Sequence, residues 1–250
     1  MAASSPRSPA LHAGSQATFV APPGWRAIDL LSDLHLGENT PNAFDAWAAH
    51  LRHTDADAVF ILGDLFEVWV GDEMLGANGV IRLADPTVVV AFGERVLLSH
   101  GDALCVDDVA YQRYRAIVHR RGMQRAFAAL PLAARRVIGG GLRSRSGRRG
   151  PRERRSFIDV DSAAALAWMR DAATPTLIHG HMHAPARHDL ATGAVRHVLS
   201  DWELDGSGQP RAEILRWSAS GFARIAPVVG AASGSPIEPA LAPSGSSAPP

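Results

Sequence analysis

Short apolar runs that end on a metal-binding type of side chain recur along the chain. AIDLLS (27–32) ends at Asp33, AVFIL (58–62) runs into Gly63 and Asp64, RVLLS (95–99) into His100, and TLIHG (176–180) into His181. Short, mostly apolar runs of this length read as buried strands. TVVVAF and RVLLSH flank Gly93-Glu94 and predict a hairpin. VRHVLSDW and RAEILRW predict closing strands. Between these runs the apolar spacing turns helical. Pro41 opens a segment to His53 with Phe44, Trp47 and Leu51 on one predicted face. Tyr111, Tyr114, Ile117 and Val118, with Phe127 and Leu130 beyond, predict a helix over 108–130. Asp161 predicts the cap of a helix that reaches Arg170 and is ended by Thr174-Pro175. Strands alternating with helices give an α/β fold, with ligands expected at strand ends.

The length of 250 residues suits one domain with a sizeable core, or a domain plus a lid. Composition places a disordered leader at 1–24, a domain at 25–228 with a lid over about 108–156, and a disordered Ala/Ser/Gly/Pro-rich tail at 229–250. No run approaches the ~18 apolar residues of a spanning helix. The one cysteine, Cys105, excludes an internal disulfide and reads as a small buried thiol. All 25 basic residues are arginine, balanced by 25 acids. The balance hides a strong asymmetry: residues 113–155 hold 14 Arg against Glu153 alone. Such a run suits an anion-facing surface. Aromatic residues are not interleaved with it as base-stacking platforms, so no nucleic-acid partner is expected.

Asp33 and His35 are spaced to point the same way from extended chain, and His181 and His183 repeat that spacing. With Asp64 and His100, six candidate ligands stand at four predicted strand ends. A set of carboxylates and imidazoles without thiolate suits Mn2+, Fe2+ or Zn2+ rather than Ca2+. A carboxylate such as Asp64 can bridge two ions. His179 shares the strand phase of His181 but is read as lying outside the ligand set. His50, His53 and His119 read as surface groups, and the stripe Tyr111, Tyr114, Ile117 and Phe127 as ordinary core rather than an acyl-chain pocket.

DLHLG (33–37), GDLFE (63–67), HGD (100–102) and GHMHAP (180–185) resemble the calcineurin-like metallophosphoesterase family. FEVWVGDE, LLSHGDALCVDDVAYQRYR and LIHGHMHAPARH resemble, within it, the UDP-2,3-diacylglucosamine diphosphatases of lipid A synthesis. The resemblance spans about residues 27–217 and implies a β-sandwich flanked by helices, with a small helical, Arg-rich lid. It implies a hydrolase that splits the pyrophosphate of a UDP-linked diacylated glucosamine, at the cytoplasmic side of the inner membrane, with two Mn2+. Asp33, His35, Asp64 and His183 would hold the first ion, and Asp64, His100 and His181 the second. Asp64 and His100 would be central to catalysis; Asp108, Ser146 and His181 would contact substrate.

The chain departs from that family at GDEMLGANGV (71–80). The family has a helix and a strand there, ending in a Gly-Asn-Arg-Asp motif whose Asn ligates the second ion. Ten glycine-rich residues are too few for a parallel crossover of about a dozen or more, so one helix–strand unit is expected to be missing near 73–79. Asn78 is the one nearby asparagine, and Arg152 or Arg154 would have to stand in for a substrate-binding lysine. Three readings follow: the pyrophosphatase itself, a phosphoesterase with another substrate, and a metal- or substrate-binding remnant with impaired catalysis.

Overall fold

The computed structural model describes residues 17–67, 81–118, 120–135, 137–138, 141 and 160–228. Ten strands are described: β1 Ala17–Val20, β2 Ala27–Leu31, β3 Ala58–Ile61, β4 Thr87–Ala91, β5 Glu94–Ser99, β6 Thr176–His179, β7 Ala186–Asp189, β8 Val195–Val198, β9 Ile214–Ser218 and β10 Gly221–Ile225. Among the helices are α1 Pro41–His53, α2 Val109–Val118, α3 Arg121–Ala128 and α4 Ser162–Asp171. One sheet runs β1-β4-β5-β6-β8-β7 and the other β10-β9-β2-β3. The strands that precede candidate ligands pair in parallel, β2 with β3 and β5 with β6.

Alternation along the strands builds the layers. Val89, Val96, Leu98 and Ile178 meet Ile28, Leu30, Leu215 and Trp217 between the sheets. Val88, Leu97 and Leu177 point the other way, onto Ala164, Ala165, Trp168 and Met169 of α4. Leu31 and Ile214 face Ala43 and Trp47 of α1. The result is the helix-flanked sandwich expected from the sequence. Asp161 caps α4 by accepting from the Ala164 amide at 2.6 Å. Phe92 and Gly93 take positive φ in the two-residue β4–β5 turn, as a right-twisted hairpin requires.

Several expectations are corrected. Ala17–Val20, inside the segment read as a disordered leader, pairs in parallel with β4, adding a strand to that sheet's exposed edge. The helix expected over 108–130 is two helices, α2 and α3. α2 has no buried residue, and Tyr114 and Ile117 lie exposed, so its stripe is not core. α1 buries Ala43 and His50, while Phe44 and Leu51 face outward. His50 is therefore no surface group: its Nε2 lies 3.0 Å from the Asp29 carboxylate on β2. A carboxylate in the middle of a buried strand draws the helix round to bring its polar partner inward. Cys105 is buried. β3 is the outer strand of its sheet among the described residues. The expected missing unit near 73–79, Asn78, Ser146, Arg152, Arg154, His119 and the tail from 229 lie outside the described residues.

Candidate metal centre

The two parallel pairs bring four strand ends to one rim. Past these ends the backbone turns sharply, and the turn carries the ligands. Asp33, His35, Asp64, His181 and His183 all have positive φ, between 44° and 69°. The i, i+2 convergence expected from extended chain is thus made by left-handed residues beyond the strands. Non-glycine residues are held there at a cost on the order of 1–3 kcal/mol each, and such strain gathers at functional sites. Backbone bonds fix it: Asp33 N–H donates to Gly63 O at 3.2 Å and His35 N–H to Asp64 O at 2.9 Å. Across the sheets, the His181 amide donates to Asp33 Oδ2 at 2.8 Å. Glycines permit the approach. A Cβ on Gly63 would lie 2.5 Å from the His100 ring, and one on Gly180 would collide with Ser32 and Asp33.

Six side chains expected from the sequence converge as two groups: Asp33, His35 and His183, and Asp64, His100 and His181. The Nε2 atoms of His35 and His183 are 3.4 Å apart, and His183 Nε2 is 3.4 Å from Asp33 Oδ1. Asp64 stands between the groups, 3.8 Å from His35 Nε2 and 3.6 Å from His100 Nε2. Asp33 Oδ1 is buried and, apart from His183, has no hydrogen-bond partner.

The field over this rim calls for positive charge. Burial opposes ionisation of Asp33, yet His183 and His100 hold its carboxyl well below the usual range. Burial also opposes protonation of His183, but Asp201 and Asp33 overcome it and raise its pKa to about 10. His100 is raised against its burial by Asp64 and Asp33, while burial keeps His35 and His181 low. Imidazoles and carboxylates aimed at common points, with an orphaned buried oxygen, fit divalent cations.

Around them lies a ring of partners that the sequence reading missed. Each of three imidazoles has an oxygen near Nδ1, leaving Nε2 toward the centre: Asp201 for His183 at 3.4 Å, Glu67 for His35 at 3.7 Å, and Leu62 O for His100 at 3.0 Å. This outer arrangement orients metal-binding histidines. Arg211 in turn grips Asp201 with two bonds of 2.7 Å. The signal for Asp201 was available, since it too follows a predicted strand, VRHVLS. Asp102 of the HGD motif accepts from Tyr111 Oη at 3.0 Å and Arg115 Nε at 2.6 Å. The Tyr111 ring sits 5.8 Å from that of His181. Asp108 caps α2, accepting from the Tyr111 amide at 2.9 Å. His179 is buried beneath the site, its Nδ1 2.8 Å from Gly180 O, and belongs to neither group.

No family model matches the chain. It is 36% identical over 220 residues to UDP-2,3-diacylglucosamine hydrolase of Chromobacterium violaceum, covering 70% of this chain and 90% of that protein. It is 35% identical over 233 residues to the protein of that name from Aromatoleum aromaticum, covering 76% and 93%. Seventy per cent of 250 residues is about 175, so roughly 45 of the 220 aligned positions in the first pair have no residue of this chain opposite them. Among solved structures, it is similar to a predicted phosphoesterase from Streptococcus pneumoniae, at 12% identity and a TM-score of 0.40, over 76% of this chain and 81% of that one.

Proposed function

The chain belongs to the UDP-2,3-diacylglucosamine hydrolases, and we propose that it hydrolyses the pyrophosphate of UDP-2,3-diacylglucosamine to UMP and 2,3-diacylglucosamine 1-phosphate in lipid A biosynthesis. The observation that carries this reading is the convergence of two His/Asp groups, with Asp64 between them, at one rim of the sandwich. Two Mn2+ are the proposed cofactors. Asp33, His35, Asp64 and His183 would hold one, and Asp64, His100 and His181 the other. When bound, the ions supply Lewis acidity to the phosphoryl oxygens and acidify an attacking water.

The chain's own residues do the rest. Asp64, half-exposed at the centre of the rim, is placed to keep the two groups in one cleft. His181, beside the Tyr111 ring, is a proposed substrate contact as well as a ligand. Asp102 holds Tyr111 and Arg115 on the cleft side of α2, so a fixed phenol and guanidinium border the site. Guanidinium suits phosphate recognition, which supports Arg152 or Arg154 as the proposed stand-in for a substrate-binding lysine, with Ser146 and Asp108 as proposed substrate contacts. The proposed setting is the cytoplasmic face of the inner membrane, as a peripheral enzyme. No helix among the described residues is long and apolar enough to cross a membrane.

A second reading rests on a specific observation. No Gly-Asn-Arg-Asp stretch lies between Asp64 and His100. Roughly 45 positions of the first relative are unmatched, and β3 is, among the described residues, the outer strand of its sheet. These support a weakened second ion site and impaired catalysis. Release of UMP from the purified Mn2+-loaded chain separates the two. Steady turnover abolished by Asp64→Ala supports the hydrolase; tight binding of UDP-diacylglucosamine without UMP supports the impaired form.

A further inference from the structure

α2 is held to the domain by polar groups. It is ten residues long and buries none of them, and a helix that short is marginal in water unless something else holds it. Its half-buried residues are Tyr111, Gln112, Arg115 and Val118, which helical spacing puts on one face. Three of the four are polar, and each of the three bonds Asp102. Tyr111 Oη and Arg115 Nε donate to Asp102 Oδ2 at 3.0 and 2.6 Å. Gln112 Nε2 donates to Asp102 O at 2.8 Å and to Cys105 O at 3.1 Å. The anchor itself is fixed. Asp102 is buried, and Ala103, Leu104 and Cys105 after it pack in the core with α4. Before it Gly101 takes positive φ, where a Cβ would lie 2.7 Å from the His179 ring. Arg115 also faces Asp85 at 4.0 Å, and Asp85 Oδ1 accepts from the His100 amide at 3.3 Å.

We propose that Arg115 is a positioning residue: through Asp102 it holds α2 on the rim and keeps the Tyr111 ring beside His181, 5.8 Å away. A hydrogen bond between two charged groups is about twice as strong as a neutral one, so of the three side chains Arg115 contributes most. Its guanidinium is turned to Asp102 and Asp85, with the side chain 20% exposed. It is thus occupied by carboxylates of the protein rather than offered to a substrate phosphate. Without it the Asp102 charge stays buried without its cation, which is strongly unfavourable. The smallest movement that relieves this is local: α2 lifts, and water reaches the carboxylate. Loss of Arg115 therefore shows as the opening of one helix, with the sandwich intact. None of the six candidate metal ligands is altered. The purpose of a fixed Tyr111 rests on the hydrolase reading; the attachment of α2 does not.

The test is amide hydrogen exchange of the full Mn2+-loaded chain, without substrate, for the parent and Arg115→Met. The proposal expects the amides of Val109–Val118 to exchange roughly tenfold faster in the variant. Those of β5, β6 and α4 keep the parent's rates, and Mn2+ uptake per chain is unchanged. In turnover, KM for UDP-2,3-diacylglucosamine rises roughly tenfold, because about a tenth of the chains then hold α2 in place. Bound substrate restores the helix, so kcat changes by less than about threefold. A double-mutant cycle with Asp102→Asn separates positioning from direct contact with substrate. Arg115→Met added to Asp102→Asn raises KM by less than about twofold; full additivity overturns the proposal. Unchanged exchange over α2 overturns it, and so does faster exchange throughout the sandwich, which makes Arg115 a general structural residue. If Arg115→Met does not fold, Gln112→Met, which removes two bonds from the same face, takes its place with about threefold faster exchange over α2. A parent that releases no UMP removes the hydrolase reading and leaves exchange to decide the attachment of α2. UMP release with unchanged exchange in the variant removes the proposal alone.

Discussion

Asp29 and Asp33 lie four residues apart, one within β2 and one just past its end, and both are fully buried. Each gathers histidine, yet the two clusters are opposites. Asp29 accepts from Arg216 Nε and Nη2 at 2.7 and 2.9 Å and from Thr54 at 2.6 Å, with His50 Nε2 at 3.0 Å. The Val228 amide donates to His50 Nδ1 at 3.2 Å, leaving Nε2–H to donate to Asp29. Charge is balanced by Arg216 and every nitrogen of His50 is used. At Asp33 one oxygen is orphaned, two imidazole Nε2 atoms confront each other, and five of the six side chains stand on positive-φ backbone. The first cluster is complete as it stands and holds α1 and β9 to β2. The second is complete only with cations. Buried ionisable residues alone therefore do not distinguish a structural network from a ligand site; unmet valence and stored strain do.

The sharpest way to break this contrast is Asp64→Ala. UMP release should fall at least about 10^3-fold, more than about 4 kcal/mol of transition-state stabilisation. The stabilisation given by Mn2+ at a hundredfold over its dissociation constant, about 2.7 kcal/mol, should shrink in thermal unfolding. Retained turnover would remove Asp64 from the centre. Next, Arg216→Met leaves a buried charge at Asp29 unpaired and should cost about 3–5 kcal/mol in urea unfolding, with Mn2+ uptake per folded chain unchanged. Loss of uptake there would mean that the two clusters are one.

Asp201→Asn removes the carboxylate behind His183. It should weaken Mn2+ binding about 10- to 100-fold, read by calorimetric titration, while the metal-free chain loses less than about 1 kcal/mol. A large loss of metal-free stability would make Asp201 a structural residue. The smallest effect is in pH. Burial works against the Asp29 charge, but His50, Arg216 and Thr54 hold its carboxyl well below the usual range. A depressed folded pKa gives stability that is whole above the unfolded value of about 3.9 and lost as pH falls below it. The stability gap between parent and Asp29→Asn should thus be flat from pH 8 to about 5 and close below about 4. A gap that closes near pH 6.5 would point to a histidine instead.

Much of the fold was legible because β2 to β6 and β9 are mostly apolar runs, buried or half-buried along most of their length. β7 and β10 read ARHD and GFARI, mixed sequences typical of outer strands, and β1 is four residues long after a polar stretch; none left a clear pattern. The six ligand candidates were legible as strand-end residues, and the structure brings them together. Their left-handed backbone was not, since nothing in DLH or HMH marks it. His50 was misread although Asp29, a carboxylate inside AIDLLS, was the clue that something polar must reach it. The outward face of α2 was misread because spacing finds a stripe without saying whether anything covers it.

The most direct test of the account counts Mn2+ bound per chain by mass spectrometric metal analysis after loading and desalting, for the parent and for Asp64→Ala. The account predicts about two ions in the parent, fewer in the variant, and UMP release from the parent alone. One ion or none in the parent, unchanged by Asp64→Ala and without UMP release, would contradict it.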